Sequence, residues 1–328
     1  GKELHPQQSY FVGGQTKVYG AAMFRLRAED FGVLHHKGGI SPAWPLTYAD
    51  FEPYYTRAEE LFCVHGFLNP DLTSPDTTEP FHTKPYPFPA FSNEPRMEAI
   101  EKDVRKLGHH TFPIPLGLKL NESDRVESKC IRCDTCDGYP CLVHAKSDSD
   151  INCIRAIMHL PNVTLMTEAR VMRILTNSTG TAVDSVEVQL GESKHAATFS
   201  ANIVAVCCGA INSAALLLQS ANDKHPDGLN NSSDMVGRHF MFHQADAILA
   251  LSMTPNPSSY MKTFGINDFY FGEKDYPYPM GNVQPIGSFH HEMMKGDAPG
   301  FTPEFVLEKM SSHAGPCGSL QKICPTST

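Results

Sequence analysis

An apolar run that leads into a glycine and then a helix is the feature that most restricts the fold of this chain. Residues 202–208, with the sequence NIVAVCC, are followed by GAINSAALLLQS, an Ala- and Leu-rich segment that Gly209 opens. A continuous apolar strand that turns through glycine into a helix is typical of a buried parallel strand in an α/β sheet. The run therefore predicts α/β architecture. By itself it supports a buried strand–turn–helix at least as well as a ligand site.

Three further segments have helical patterns. In TYADFEPYYTRAEELFCVHG, Thr47 is a candidate N-cap with Asp50 three residues later, and Gly66 is the expected end of the helix. EPRMEAIEKDVRKLG predicts a second helix that stops at Gly108. SDSDINCIRAIMHL predicts a third, with Ser147 or Asp148 near its start.

Strand patterns lie mainly between the third helix and the NIVAVCC run. They are short runs rich in β-branched residues or runs that alternate apolar and polar residues: NVTLMT, ARVMRILT, VDSVEVQL and ATFS. After Phe242 the composition changes, and ADAILALSM alternates like an antiparallel strand. Residues 67–93 are too rich in proline for regular structure and predict a long wrapping segment.

Composition excludes some classes of partner. The formal net charge is −9 and no basic stripe occurs, so nucleic acid is not an expected partner. No run of 18 apolar residues is present, which predicts no membrane-spanning helix. The ten cysteines are unevenly spaced, unlike a secreted disulfide framework, which favours a reducing compartment such as the cytoplasm or a metal site.

A glycine pair near the start of the chain is a candidate ligand loop. SYFVGGQTKVYGAAMFRL places small and hydroxyl side chains after Gly13 and Gly14, a composition that lets a backbone approach a ligand. The loop lacks the G-x-G-x-x-G spacing and has no apolar strand before it. From the residues alone, an ordinary glycine turn remains open.

Four cysteines lie close together in CIRCDTCDGYPC. Two C-x-x-C steps share a cysteine, and a fourth cysteine follows after four residues, a spacing at which thiolates can converge on one metal. The last gap is one residue longer than in the bacterial iron–sulfur run, and the long span between two zinc knuckles is absent. Iron–sulfur, zinc and reduced or disulfide-paired thiols all remain open for Cys130, Cys133, Cys136 and Cys141.

Taken in order, these segments resemble the glucose–methanol–choline (GMC) family of flavoprotein oxidoreductases, near its choline-dehydrogenase-like and sugar-dehydrogenase branch. The resemblance rests on six pieces: VGGQTKVYGAAMFRLRAEDF, SPAWPLTYADFEPYYTRAEELFCVHG, CDGYPCLVHAKSDS, NVTLMTEARVMRI, IVAVCCGAINSAALLLQS and NSSDMVGRHFMFH. In this family the dinucleotide fingerprint precedes the second Gly-Gly loop, and a catalytic histidine lies in a C-terminal segment. Neither has a counterpart here, since His313 does not match, so we expect an incomplete chain that is inactive alone.

The resemblance also implies a fold class and a division of the chain. The expected fold is α/β (α+β overall), with a partial FAD-binding, Rossmann-like parallel-sheet domain and a second substrate domain with a mixed or antiparallel sheet. The FAD domain would take residues 1–66 and 151–242. Residues 67–150 would hold the wrapping segment and the cysteines, 243–310 the substrate-domain segment, and 311–328 an irregular tail.

Site residues follow from the resemblance position by position. The flavin would lie along Gly13, Gly14, Gln15, Thr16, Val18, Tyr19 and Gly20. Backbone atoms of Val171 would hold the adenine edge, and the turn and helix start would cover the adenosine portion with Cys208, Gly209, Ala210 and Asn212. Cys136 and Cys141 match the neighbourhood of an iron–sulfur cluster in the sugar-dehydrogenase branch; Cys130 and Cys133 match it only approximately.

Two functions of different classes follow. The first is an FAD-dependent oxidoreductase that oxidises CH–OH groups of a small alcohol or sugar, with the electron acceptor and the substrate left open. The second is a metal-stabilised binding or electron-transfer protein that uses the Cys130–Cys141 cluster.

Overall fold

A computed structural model describes residues 8–192, 196–240, 242–285, 287, 291–295, 298–314 and 318–324. The chain divides into two units. The first comprises Gly1–His159 and Phe242–Cys324, and the second is built around Leu160–Met241. Within the described residues, no helix is both long and apolar enough to cross a membrane.

Short strands outnumber helices in the described part of the chain. The α-helices are α1 (Tyr48–Leu61), α2 (Pro95–Lys106), α3 (Arg155–Ile157), α4 (Gly209–Gln219), α5 (His291–Met294) and α6 (Glu304–His313). A π-helical turn, Ser149–Ile154, leads into α3, and 3₁₀ turns occur at Gly14–Lys17 and Ala28–Phe31. The strands are β1 (Leu34–His36), β2 (Gly39–Ser41), β3 (Val64–Gly66), β4 (Phe88–Pro89), β5 (Thr111–Pro113), β6 (Leu116–Gly117), β7 (Ala169–Thr176), β8 (Val183–Leu190), β9 (Ala196–Phe199), β10 (Phe242–Ile248), β11 (Phe264–Ile266), β12 (Asn282–Pro285) and β13 (Gly318–Cys324).

A five-stranded antiparallel sheet forms one part of the first unit. Its order is β10-β13-β12-β11-β5, so strands from both ends of the unit's sequence meet in it. Met97 and Ile100 of α2 pack against Phe264 of β11 and Met261. Burying these apolar side chains stabilises the packing of α2 on the sheet.

A second core of the first unit lies around residues 114–120. Ile114, Leu116, Leu118 and Leu120 are buried there with Ala21, Phe91, Cys130, Ala145 and Tyr260. Beside this core, β3 pairs in parallel with β4 and antiparallel with β6. The glycine loop and the cysteine segment both border this core, because Tyr19, Ala22, Cys136 and Cys141 pack against it.

The second unit is an antiparallel meander covered by one helix. Strands β7, β8 and β9 pair in chain order. Helix α4 packs on the meander through Leu216, which contacts the cluster of Ile174 and Leu229. The Ser220 hydroxyl accepts a 2.9 Å hydrogen bond from the Ile174 amide, so the end of α4 is also tied to β7.

Several predicted elements are confirmed. Helix α2 begins with Pro95 and ends just before Gly108, whose φ is 92°. At α1 the Asp50 carboxylate accepts a 2.8 Å hydrogen bond from the Thr47 amide, as expected for a capping box. The predicted strands over ARVMRILT and VDSVEVQL coincide with β7 and β8. Asp148 caps the third helical segment by accepting a hydrogen bond from Ile151.

The predicted end of α1 was wrong. The helix stops at Leu61 rather than Gly66, and residues 64–66 form β3 instead. Cys63 leaves the helix with a φ of 53°. Gly66 serves a different purpose: a Cβ there would lie 2.4 Å from the Tyr86 ring, so glycine permits close packing rather than a helix end.

Two predicted strands and the predicted irregular tail are also corrected. Residues 163–166 and 203–207 carry no strand, and Ile203 is 86 % exposed. A strand needs a hydrogen-bonding neighbour, and within the described ranges β3–β4 is the one parallel pair. The tail instead contains the end of α6 and β13, which gains ladder hydrogen bonds from two neighbours, β10 and β12.

Candidate functional site

The glycine loop is a tight turn fastened to the π-helical segment. Gly13 and Gly14 have φ angles of 94° and 49°, in the left-handed region where glycine is unstrained. The Thr16 hydroxyl donates to the Gly13 carbonyl at 2.5 Å and lies 3.0 Å from the Ser149 hydroxyl. The Lys17 ammonium is 2.5 Å from the Asp150 carboxylate. These contacts leave the loop half-buried and fix its first part.

Lys146 fixes the second part of the loop. It is fully buried, and its ammonium donates to the carbonyls of Tyr19 (2.8 Å), Cys136 (2.7 Å) and Tyr139 (2.8 Å). Three acceptors require three N–H donors, which only the protonated amine has. Burial lowers the pKa of Lys146, but these three bonds identify the bound form as the ammonium.

Two further hydrogen bonds tie the glycine loop to the cysteine segment and to the residues next to Lys146. The Gly138 amide donates to the Val18 carbonyl at 2.9 Å. The Tyr19 hydroxyl donates to the Ser147 carbonyl at 2.5 Å, and burial, followed by the nearby Asp148 carboxylate, raises the pKa of this phenol. The carbonyls of Val18 and Tyr19 therefore both point towards the cysteine segment and Lys146.

Gly20 leaves room for an ion pair. A Cβ at this position would lie 1.6 Å from Asp137 Oδ1 and 2.3 Å from Lys262 Nζ. These two side chains pair with each other at 3.0 Å, and Lys262 is 5 % exposed. The charged tips therefore lie directly against the backbone of the loop.

Ala21 carries an unusual backbone group. Its φ is 61°, in the left-handed region that costs a non-glycine residue roughly 1–2 kcal/mol, and the residue is completely buried. Its carbonyl accepts from the Gly117 amide at 2.8 Å, whereas its own N–H meets no hydrogen-bond acceptor among the described residues. Buried N–H groups are rarely left unpaired in proteins, so this amide is an exception among the described residues.

The four clustered cysteines are free thiols. Thiolates bound to one zinc ion at 2.3 Å lie within about 4 Å of one another. In the described part of the chain, the one group of three or more such ligand atoms within 4.8 Å of one another is His291, Glu292 and Glu304, so the arrangement of the four cysteines does not favour a zinc site. The Lys295 ammonium lies 2.8 Å from both of those glutamates and supplies their counter-charge.

We expect Cys136 to react much more slowly with iodoacetamide at pH 9 than the exposed Cys207 and Cys208. Burial, with smaller effects from the thiols of Cys130 and Cys133, raises the pKa of Cys136 to about 12. Since the thiolate is the nucleophile, only about one Cys136 thiol in a thousand is reactive at that pH. Time-resolved alkylation with mass spectrometry checks this, and equal labelling rates would contradict it.

The raised pKa of Cys136 also makes the stability of the fold depend on pH. The pKa of Cys136 is higher in the folded protein than the 9.0 of an unperturbed thiol. The folded state therefore binds its proton more tightly, and this contribution to stability is present below pH 9 and lost as the pH rises towards 12.

The remaining predicted site residues lie in the second unit. Val171 is on β7, 38 % exposed and paired with Val188 of β8. Gly209, with a φ of 76°, opens α4, and the exposed Cys208 donates its amide to the Ser213 hydroxyl at 3.1 Å. Ala210 and Asn212 follow on the first turns of α4. Cys207 and Cys208 are exposed, which contradicts the buried strand that the NIVAVCC run predicts.

Within the first unit the structure brings together the predicted residues from Gly13 to Gly20 and adds four others. The additional residues are Ala21, Asp137, Lys146 and Lys262. Lys146 lies in CLVHAKSDS, a piece quoted for the resemblance, yet a buried lysine has no local signature of its own. No sequence pattern pointed to Lys262, because its place in the site depends on its ion pair with Asp137, 125 residues earlier.

A comparison with known families identifies the family of this chain. The sequence model described as GMC oxidoreductase matches residues 6–245, which is well over half of the chain. The chain belongs to the GMC oxidoreductase family. The matched range includes the glycine loop, the cysteine segment and the strand and helix of the second unit.

Curated relatives in the GMC family support the assignment. The chain is 32 % identical over 231 residues to 6'''-hydroxyparomomycin C oxidase of Streptomyces lividus, covering 69 % of this chain and 40 % of that protein. It is 30 % identical over 252 residues to paromamine 6'-oxidase of Streptomyces fradiae, covering 76 % and 43 %. Against 2-methyl-1,2-propanediol dehydrogenase of Mycolicibacterium austroafricanum the identity is 27 % over 290 residues, covering 85 % and 50 %. The chain thus spans half or less of the length of these relatives.

GMC oxidoreductases bind FAD, and the loop of the first unit fits such a group. At Gly14 the space that a Cβ would occupy is open, with the Ser9 carbonyl the nearest atom at 3.8 Å. A ligand can therefore approach the loop backbone closely, as glycine loops in nucleotide-binding proteins allow.

Proposed function

We propose that the protein containing this chain is an FAD-dependent oxidoreductase that oxidises a CH–OH group of a small sugar or alcohol. The observation that carries the proposal is the glycine loop of a chain of the GMC family: Gly13 and Gly14 have left-handed φ angles, and the space beside Gly14 is open. Bound FAD supplies the acceptor for the hydride that leaves the alcohol carbon.

The chain's own residues would hold and orient the cofactor. Gly13, Gly14, Gln15, Thr16, Val18, Tyr19 and Gly20 would form the loop along its flavin and pyrophosphate portion. Lys146 and Gly138 keep the carbonyls of Tyr19 and Val18 turned away, so that those backbone oxygens do not repel electron-rich atoms of the ligand. In the second unit, Val171, Cys208, Gly209, Ala210 and Asn212 would contact the adenosine portion.

The substrate class that we propose is a hydroxylated small molecule, with amino sugars first and small diols second. Two of the relatives are named as oxidases of 6'''-hydroxyparomomycin C and paromamine, and the third as a dehydrogenase of 2-methyl-1,2-propanediol. The common requirement is a hydroxyl-bearing carbon. Comparing oxygen consumption with dye reduction would identify the electron acceptor.

An iron–sulfur cluster is not part of this proposal. The four cysteines are free, and neither the comparisons nor their geometry supports a metal-binding function for them. The alternative of a metal-stabilised binding protein is therefore not favoured. Iron analysis of the purified protein would show iron at stoichiometric level if this were incorrect.

Flavin binding by the loop is the first test. The purified full-length protein that contains this chain is expected to bind FAD and to reduce dichlorophenolindophenol with paromamine or 2-methyl-1,2-propanediol. Gly14→Ala should weaken FAD binding at least tenfold, because the methyl group fills the open approach to the loop. Fluorescence titration with FAD measures the affinity.

Gly191→Ala is the matched control. Gly191 has a φ of 58°, close to the 49° of Gly14, and a Cβ there would meet nothing within 4 Å. Both substitutions therefore impose similar backbone strain, and only Gly14 lies on the loop. Absence of FAD binding in the unmodified protein, or equal losses in the two variants, would overturn the proposal.

A further inference from the structure

An open groove of about 450 Å³ borders strands β3 and β4 in the first unit. Two stretches of the chain line it: residues 66–70 with Leu72, and residues 85–89. None of these residues belongs to the glycine loop or to the cysteine segment. Ligand sites in proteins have volumes of about 300–1,000 Å³. The groove is therefore large enough to hold a small molecule, and the proposed function gives it no role.

Two aromatic rings of the groove are in contact with solvent. Phe67 is 50 % exposed and Phe88 is 42 % exposed. His65 stacks on Phe88 with ring centroids 5.0 Å apart and an angle of 20° between the planes, which holds that ring in place. The face of an aromatic ring is electron-rich, so it packs against apolar C–H groups and also attracts cations.

Both walls of the groove are ordered by contacts within the chain. A Cβ at Gly66 would lie 2.4 Å from the Tyr86 ring, so these two residues are closely packed. On the other stretch, the Asn69 amide donates to the Thr73 carbonyl at 2.6 Å and the Leu72 amide donates to the Asn69 carbonyl at 2.9 Å. A ligand would meet a preformed surface, which lowers the entropy cost of binding.

The groove offers hydrogen-bond acceptors but few donors. Four of its eleven lining residues are prolines, which have no N–H: Pro70, Pro85, Pro87 and Pro89. The amides of Asn69 and Leu72 are already used, and the Tyr86 hydroxyl donates to Glu79 at 3.2 Å. The carbonyls of Pro85 and Pro87, by contrast, accept no hydrogen bond from the described residues. A complementary ligand is therefore rich in donors.

The surface charges beside the groove favour a cation. No lining residue is charged. Asp71 lies between two lining residues and is exposed, and hydrogen bonds from a neighbouring threonine lower the pKa of its carboxyl, so it stays ionised. Lys84 is the nearest surface cation in sequence, and its charge is matched by Glu60 at 2.9 Å.

The buried charges behind Tyr86 do not reverse this preference. Four carboxylates and at most three cations meet there: Glu52, Glu59, Asp76, Glu79, Arg25, Arg27 and His82. The balance of charge facing the groove from behind is therefore not positive.

We propose that the groove binds a protonated, hydroxyl-bearing ring such as that of an amino sugar. The C–H groups of the ring pack on Phe67 and Phe88, while its ammonium and hydroxyl groups donate to the carbonyls of Pro85 and Pro87. The inference goes beyond the proposed function, because binding in the groove requires neither flavin nor hydride transfer.

Three monosaccharides of different charge test the ligand class. Saturation-transfer NMR titrations near pH 6.5, with the full-length protein that contains this chain, compare glucosamine as the cation, glucose as the neutral ring and glucuronate as the anion. Glucosamine is expected to bind at least fivefold more tightly than glucose and at least tenfold more tightly than glucuronate. The reason is that a carboxylate would face carbonyl oxygens and Asp71.

Substitutions at Phe67 test the place of binding. Phe67→Leu keeps an apolar side chain but removes the aromatic face, and should weaken glucosamine binding at least fivefold. Phe67→Tyr keeps the face and should bind within twofold of the unmodified protein. Phe81→Leu is the matched control, because Phe81 is 54 % exposed on the same segment of the chain but does not line the groove.

The outcomes separate this inference from the proposed function. If the protein binds no FAD but its glucosamine affinity depends on Phe67, the proposed function fails and the groove assignment stands. The assignment is wrong if glucosamine does not bind, if glucuronate binds equally well, or if Phe67→Leu binds like the unmodified protein. Glucosamine binding that is lost in Gly14→Ala and unaffected at Phe67 would belong to the flavin site and would also overturn the assignment.

Discussion

Replacing Arg25 with methionine is expected to lower the free energy of unfolding by about 3–5 kcal/mol. Arg25 is buried, and its guanidinium contacts Glu59 with two nitrogens, at 2.6 and 2.7 Å. Its third nitrogen lies 3.2 Å from Glu52. Methionine fills much of the volume but leaves two buried carboxylates without their cation, which costs far more than the packing gains.

The surroundings of Arg25 do not replace the lost charge. Burial opposes ionisation of Glu52, but hydrogen bonds from Thr83, Thr56 and Arg25 lower the pKa of this carboxyl to about 2, so it stays charged near neutral pH. Tyr48 and Thr56 also hydrogen-bond the guanidinium, but both are neutral. A lysine at position 25 cannot make the paired contact to Glu59 and should recover only part of the stability.

Urea titration followed by circular dichroism measures the effect, with Lys84→Met as the control. Lys84 pairs at 2.9 Å with Glu60 of α1, the helix that also carries Glu52 and Glu59, but both side chains of this pair are more than half exposed. Exposed pairs contribute little, so the control should change stability by less than about 1 kcal/mol. Equal losses in the two variants would show that the buried network around Arg25 is not what stabilises this unit.

Short sequence patterns correctly predicted the elements whose hydrogen bonds form within one segment or between segments adjacent in sequence. Helix α2 has Pro95 at its start and Gly108 just after its end, and both act within the chain segment itself. The capping of α1 by Thr47 and Asp50 spans three residues. Strands β7 and β8 are neighbours in sequence, so the alternation in each is matched by the other. In these places sequence and fold carry the same information.

Non-local contacts decide the features that the sequence did not reveal. Gly66 looks like a helix end, but the Tyr86 ring packed against it is the reason for glycine there. Residues 203–207 have the composition of a buried strand, yet strand formation depends on a hydrogen-bonding neighbour, and in the described part of the chain they form no strand. At the site, the glycines of the loop were visible in the sequence. The charges beside Gly20 arise from Asp137 and Lys262, whose juxtaposition only the fold provides.

Lys146→Met should both destabilise the first unit and release the glycine loop. The substitution leaves the carbonyls of Tyr19, Cys136 and Tyr139 without their donor. Tyr139 is 49 % exposed and its carbonyl can turn to water, whereas Tyr19 and Cys136 are more buried. At about 1–3 kcal/mol for each of these two acceptors left unpaired, the expected loss of unfolding free energy is about 2–6 kcal/mol.

FAD affinity distinguishes this lysine from an ordinary structural one. Lys146 holds the Tyr19 carbonyl next to Gly20, so loss of this lysine lets the Tyr19–Gly20 peptide rotate and present its oxygen to the ligand. We therefore expect FAD binding to weaken at least tenfold, even at temperatures where the variant is folded. Lys129→Met, at an exposed position in the cysteine segment, should change neither quantity. Fluorescence titration of both variants well below their unfolding temperatures is the measurement. An unchanged affinity in folded Lys146→Met would mean that the three carbonyl bonds stabilise the fold alone, and that the orientation of the Tyr19–Gly20 peptide does not govern flavin binding.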